Sequence, residues 1–416
     1  MIRIGVVGCG RILAAHLKGY RLLREAGFDD FRIAALCARR EEDALSYVSP
    51  NEKAPQRPAV STLPGDPLAI GGEYLSDFQD TGDVEIFTDY REMIASGRID
   101  AVNDFTSHGM HHLVAAEAFA GGKHLLSQKP LGVTVRAARR MVEQAADAGV
   151  TFGVFENAAY RPAIRHAAWA FSAGGPAGDP QMAVLGNIGT WWAPDLVVAQ
   201  TPWRHRKILG GGLAIDLGVH QFHMIRQIFG EIADVQGRAL VVEKERHLLD
   251  EHGRRGETIP CDADDTFYAS FSCVNGASGN LFASFAGRGT PTVPANGPTF
   301  YGSRGRVSGN EIHLDGETDA RSLADLYEQA ATAEQMESDF PRGLEDHFAL
   351  TQHHWLEAIR TGTQPALDGA SGLADLAAAY AILESDTARR RVSIDEVLTG
   401  ELEAYQAPIN HHFKIP

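Results

Sequence analysis

The sequence predicts an α/β protein whose N-terminal part is a doubly wound parallel sheet, and three observations carry that expectation. The chain opens as strand, glycine turn and helix in "MIRIGVVGCGRILAAHLKGYRLLREAG". Short β-rich runs and helical patterns then alternate as far as "VTFGVFEN", and residues 180–310 change to period-two runs punctuated by glycine. At 416 residues the chain is too long for one ordinary core, so two domains are expected, 1–155 and 156–416.

Ile2 to Val7 is the first strand. Gly8 permits the tight turn after it, and Gly10 lets the backbone approach a pyrophosphate seated on the positive end of the following helix. Leu13, with Ala14 beside it, stands where a third small residue is expected. "FRIAALCA", near residue 31, reads as the second strand. An acidic residue at its end would hold the ribose 2′-hydroxyl of NAD, but the chain reads Cys37-Ala38-Arg39-Arg40. Arginine there can meet a 2′-phosphate, which leans the cofactor toward NADP over NAD. Ser49 to Asp83 is rich in Pro, Gly and Asp and reads as a long excursion before "VEIFTDYREMIASG". "IDAVNDFT" is the next strand, "SHGMHHLVAAEAFAGG" a helix, "KHLLSQKPLG" a strand and turn, "TVRAARRMVEQAADAG" an amphipathic helix and "VTFGVFEN" a strand. This alternation specifies parallel pairing with crossover helices.

The formal charge of −16, with no run of lysine and arginine, argues against a nucleic-acid partner. No basic leader precedes a long apolar segment, and the longest apolar stretch, "LAAAYAIL" from Leu376, is far short of a bilayer span. A cytoplasmic enzyme or binder without a membrane partner is therefore expected. Cys9, Cys37, Cys261 and Cys273 show no CxxC spacing and read as reduced thiols in or near strands.

"GGGLAIDLGVHQFH", Gly210 to His223, reads as a glycine loop followed by a helix that sets Asp216, His220 and His223 on one face. The same spacing also suits a helix packed by Leu213, Ile215, Leu217, Val219 and Phe222 with solvated histidines.

Taken in order, the motifs resemble the Gfo/Idh/MocA family, named for glucose–fructose oxidoreductase and inositol dehydrogenase. They are "GCGRI" with His16 behind it, "TDY" at Thr88, "TSHGMH" for Thr-Pro-Asn-x-x-His, "GGKHLLSQKPLG" for Gly-Lys-His-x-x-x-Glu-Lys-Pro, "ENAAYRPA", and "GGGLAIDLGVH" for Gly-Gly-Gly followed by Asp-x-Gly-x-His. The resemblance implies a Rossmann domain plus a C-terminal α+β domain with a large open, mostly antiparallel sheet that carries substrate. It also implies a homodimer or homotetramer. The helical tail, about 346–391, can pack back on the Rossmann domain.

By the same resemblance Lys129, Asp216 and His220 form the catalytic group. Hydride can leave a carbinol carbon only as the hydroxyl proton is lost, and a histidine poised near neutral pH suits that proton, so His220 is the expected acid/base. Lys129 stabilises the developing alkoxide and Asp216 orients His220. Gly8, Gly10, Arg11, Ile12, Ala38, Arg39, Arg40, Thr106, His111, Gln128 and Lys129 are the expected cofactor contacts. Asn157, Tyr160, Arg161, Trp203, Arg204, His205, Asp216, His220 and His223 are expected at the substrate, where aromatic faces and polar groups suit a polyol or charged sugar. His108, His112 and Lys207 are further candidates, and Trp191 and Trp192 read either as ring platforms or as core or dimer interface. The triple glycine is expected to let the loop pass close to substrate. Gln128 replaces the family's glutamate and His223 its aspartate; no metal is expected, although His220 and His223 with Asp216 could form part of a zinc site.

The first reading is a dehydrogenase or reductase of a secondary hydroxyl or ketone on a sugar, sugar derivative or inositol. The second is a redox-assisted glycosidase that oxidises, eliminates, hydrates and reduces again. The third, a non-catalytic dinucleotide-binding sensor, would be expected to have lost Lys129, Asp216 and His220.

Overall fold

The computed structural model describes residues 1–50, 59, 61, 66–189, 193–290 and 297–416. The chain forms two compact units, one of 1–132, 137–160 and 340–373, the other of 133–136, 161–339 and 374–416.

In the first unit β1 (Ile2–Val7), β2 (Phe31–Cys37), β3 (Glu85–Phe87), β4 (Ala101–Asp104), β5 (His124–Gln128) and β6 (Phe152–Phe155) form a six-stranded sheet in the order β3-β2-β1-β4-β5-β6. Every pairing in it is parallel, the doubly wound sheet expected from the alternating pattern. Strands β1, β2, β4, β5 and β6 are buried along most of their length, as parallel strands covered on both faces must be, while the edge strand β3 is half-buried. Helices α1 (Leu13–Glu25), α2 (Glu41–Leu45), α3 (Tyr90–Ala95), α4 (His108–Ala120) and α5 (Val135–Ala148) follow successive strands. The helix His347–Thr361, opened by Asp346 whose carboxylate accepts the Phe348 and Ala349 amides at 3.0 Å, packs on α1. There the Gln352 amide donates to the carbonyl of His16 at 3.0 Å. Of the long excursion, the described part is tied to β2 by Gln79, whose side-chain amide accepts from and donates to the backbone of Ile33.

The second unit is built on a nine-stranded sheet. Its members are β7 (Pro180–Ile188), β8 (Ile232–Leu240), β11 (Thr266–Cys273), β12 (Ser278–Ser284), β13 (Thr299–Gly302), β14 (Gly305–Ser308), β15 (Glu311–Leu314), β16 (Arg321–Ser322) and β17 (Val392–Ser393). Strands β9 (Glu245–Leu249) and β10 (Arg255–Pro260) form a separate antiparallel pair. In the order β16-β15-β14-β13-β7-β12-β11-β8-β17, only β7 and β12 run parallel. Alternation along β11 buries Phe267, Ala269 and Phe271 on one face and leaves Tyr268 exposed on the other. Helices α6 (Pro162–Ala170), α7 (Leu213–Asp216) and α8 (Gly218–Phe229) belong to this unit, and α6 packs on α8.

One element departs from expectation. The segment after the triple glycine is two helices rather than one, because the run breaks at Leu217 (φ −108°, ψ −34°). No described helix is long and apolar enough to cross a membrane.

Candidate active-site residues

The first unit presents a glycine turn at the carboxyl edge of its sheet. Gly8 has φ +100°, and a Cβ there would lie 2.8 Å from the carbonyl of Phe105, so only glycine lets β1 pass the segment after β4 this closely. At Gly10 a Cβ would meet nothing within 4 Å, which leaves open room beside the backbone. The first turn of α1 carries no acidic residue and no side-chain cap. Arg11 is exposed and Ile12 half-buried at this end, while Leu13 is fully buried in place of the expected small residue. Turn and helix end fit the pyrophosphate of a dinucleotide. After β2, Ala38 is buried with its amide on the carbonyl of Phe87 at 3.1 Å. Arg39 and Arg40 are exposed, and Arg40 is paired with Asp43 at 2.8 Å and Glu42 at 3.0 Å.

Two loops at the same edge are braced by buried histidines. Thr106 donates through its amide and hydroxyl to Asp104 Oδ1 at 2.9 and 2.6 Å, fixing the turn after β4. His111 is wholly buried, with Nδ1 3.0 Å from the carbonyl of Pro130 and Nε2 3.2 Å from that of Thr106. The expected cofactor contact for His111 gives way to a support role, since both ring nitrogens already face backbone. Lys129 is half-buried, and its amide donates to Gln128 Oε1 at 3.0 Å. Gln128 Nε2 lies 2.9 Å from His16 Nε2. Burial holds the His16 pKa well below the ordinary histidine value, so its ring is neutral and Nε2 accepts. That ring stacks on Phe105 at 3.7 Å and meets Phe155 edge-on at 4.1 Å. Glutamine at 128 therefore makes an uncharged pair with an uncharged histidine. His108 is buried; burial, then His111 and Arg140, push the half-buried His112 down to about 4.

In the second unit Asp216 and His220 are half-buried. Asp216 accepts from Arg204 Nε at 3.0 Å, Arg204 Nη1 donates to Thr201 Oγ1 at 2.7 Å, and the guanidinium lies 4.5 Å from the centre of the half-buried Trp203 ring. Arg204 is thus already matched by an acid.

His205 and His223 need correction as substrate contacts. His205 is buried, Nε2 accepts the Val198 amide at 3.1 Å, and burial, with Arg246 and Arg204 adding to it, pushes the ring down to about 3. His223 is fully buried with Nδ1 2.6 Å from Asp375 Oδ2, while Asp375 Oδ1 accepts from Arg226 Nη1 at 2.7 Å. Asp375 takes the His223 ring into the core. Among the described residues no group of three or more His, Cys, Asp or Glu could hold a metal ion. Asn157 and Tyr160 are buried in one turn of 3₁₀ helix, Tyr160 with its ring 5.1 Å from that of His354, and Arg161 is exposed. Lys207 is half-buried with Nζ 3.7 Å over the Tyr405 ring. Trp191 and Trp192 lie outside the described residues.

At the triple glycine an added side chain would meet protein at every position. A Cβ at Gly210 would lie 2.6 Å from Val133, at Gly211 2.5 Å from the carbonyls of Trp203 and Arg204, and at Gly212 2.2 Å from Asp264 Oδ1. Asp264 escaped the sequence reading; the signal was the acidic pair Asp264-Asp265 opening a strand that must be buried.

Two family models match this chain. Residues 68–156 match the "Oxidoreductase family, NAD-binding Rossmann fold", and residues 165–308 match the GFO/IDH/MocA C-terminal domain. The chain belongs to the GFO/IDH/MocA family. Its first unit is accordingly the NAD-binding Rossmann fold of an oxidoreductase. A myo-inositol 2-dehydrogenase of Thermotoga maritima is 23% identical over 95% of this chain and 100% of its own length. A D-xylose dehydrogenase of Paenarthrobacter nicotinovorans is 25% identical over 44% of this chain, a match spanning only 46% of that relative. The fold is also that of a levoglucosan dehydrogenase solved with NADH and L-sorbose, at TM-score 0.72, 19% identity and coverage of 94% of this chain and 98% of that one.

Proposed function

We propose that this oxidoreductase transfers hydride between a nicotinamide dinucleotide and a secondary hydroxyl, or the matching ketone, of a sugar, sugar derivative or inositol. One observation carries the reading. Lys129, Asp216 and His220 all remain half-exposed, whereas His16, His111, His205 and His223 are buried and used internally. The names of the relatives, dehydrogenases of inositol, xylose and levoglucosan, point to the same substrate class.

When bound, the cofactor supplies the hydride acceptor and no base. Gly8, Gly10 and the amides opening α1 would hold its pyrophosphate. His220 takes the hydroxyl proton in oxidation and returns it in reduction. Asp216 orients His220 and keeps Arg204 in place beside Trp203, where both can face the sugar. Lys129, its amide fixed by Gln128, stabilises the alkoxide. We further propose NAD in preference to NADP, because Arg40 is already paired with Glu42 and Asp43 and the first turn of α2 carries Glu41, Glu42 and Asp43, which repel a 2′-phosphate.

The test incubates the protein with NAD or NADP and free inositols, pentoses, hexoses, sugar acids and aryl glycosides, following reduced-cofactor absorbance and aglycone release together. Absorbance rising with a free sugar or inositol, and higher kcat/KM with NAD than NADP, is expected. Aglycone release without net reduction would replace this reading by the redox-assisted glycosidase.

A further inference from the structure

Asp264 lies at the base of the segment that carries Asp216 and His220, and its side chain is 7% exposed by residue. Its carbonyl accepts the Leu213 amide at 2.8 Å, and its Oδ2 accepts the Ala214 amide at 2.7 Å. Two of the donors that open α7, otherwise left without helical partners, are satisfied by this one residue. Oδ1 is buried with no hydrogen-bond partner among the described residues and presses on Gly212, which has φ +128°. Any side chain at 212 would collide with that oxygen, so the glycine and the acid form a matched pair.

We propose that Asp264 is a positioning residue for hydride transfer, anchoring the start of α7 and thereby setting where Asp216 and His220 point. The proposal rests on the roles assigned above to those two residues. Asp264 touches neither of them in the hydrogen-bond pattern described; it acts through backbone. From Asp216 the effect passes along two backbone bonds, the Asp216 amide to the Gly212 carbonyl at 3.0 Å and the Leu217 amide to the Leu213 carbonyl at 2.9 Å, into the turn that begins α8.

The site is also sensitive to pH. Burial raises the Asp264 carboxyl to about 7 against the lowering effect of the Ala214 amide. The charged and titratable groups that act on it or feel it are Asp265, Lys207, Tyr380 and Tyr405. Because the unfolded carboxyl titrates near 3.8, the stability contributed by this group is greatest at acid pH, declines as pH rises toward about 7 and is level above it. An asparagine at 264 has no such decline.

The experiment compares the full chain with Asp264→Ala, Asp264→Asn and Gly212→Ala. It measures hydrogen exchange of the 213–217 amides by mass spectrometry, kcat and KM on the best substrate of the panel, NADH binding by fluorescence, and urea unfolding from pH 4 to 8. Asp264→Ala is expected to speed exchange in that segment and to lower kcat about 10- to 100-fold through misplacement of the reacting groups, with NADH binding unchanged. Asp264→Asn keeps an oxygen acceptor for the Ala214 amide and is expected to restore exchange protection and most of kcat. Its stability relative to the parent should rise between pH 4 and 7. Gly212→Ala should reproduce the loss. Wild-type exchange and kcat in Asp264→Ala, or in Gly212→Ala should the alanine at 264 not fold, would overturn the proposal. Absence of any turnover by the parent chain would instead remove the functional reading, while the exchange data would still decide whether Asp264 anchors α7.

Discussion

Replacing Gln128 by leucine deletes the acceptor of the Lys129 amide and the donor to His16 Nε2 in one step, at a place where His16 is completely buried. Leaving two polar groups unmatched in such surroundings costs about 1–3 kcal/mol each, so Gln128→Leu is expected to lower urea stability by about 2–6 kcal/mol. An unchanged midpoint would show that these bonds contribute nothing. Lys129, Asp216 and His220, the residues proposed for the chemistry, were legible as candidates because the resemblance maps them onto short motifs. The partners were not. Gln128 and His16 are far apart in sequence, as are Gly212 and Asp264, and only the fold brings them together. His223 misled for a related reason: spacing on an ideal helix says nothing about an acid arriving from residue 375.

Among the elements, α8 is locked to the helix Gly369–Ala388 by the buried set His223, Arg226 and Asp375, with Arg226 also held by Glu231 at 2.7 Å. Asp375→Asn removes the buried carboxylate while Arg226 keeps Glu231, so a loss of about 1.5–3 kcal/mol, the scale of a hydrogen bond to a charged group, is expected in urea unfolding. A loss under about 0.5 kcal/mol, the size of an ordinary surface substitution, would show that the link is dispensable. The strands and helices of the first unit were legible from periodicity, since a parallel sheet demands continuous apolar runs separated by amphipathic helices. The second unit was legible only as period-two runs. Strand order in a mixed sheet depends on long-range pairing, such as the parallel register of β7 with β12, for which no local pattern exists.

For the molecule as a whole, the nine-stranded sheet leaves one face with exposed apolar residues in register. Tyr268 pairs with Phe282 across β11 and β12, their rings stacked at 6.3 Å, and Met182 pairs with Tyr301 across β7 and β13. Tyr268 and Met182 are 46% and 53% exposed, a set that a second copy of the chain could cover. We expect a homo-oligomer by light scattering, and expect Tyr268→Arg to shift it toward monomer; a monomeric parent would refute this.

The central claim is that His220 and Lys129 carry out proton transfer and alkoxide stabilisation during hydride transfer. Single-turnover reduction of NAD by the best substrate, compared among the parent chain, His220→Ala and Lys129→Met at equal NADH affinity, tests it directly. The account predicts hydride transfer slowed by about 10²-fold or more in each variant, the usual scale for losing a general base or an oxyanion donor. Transfer at the parent rate in either variant would contradict it.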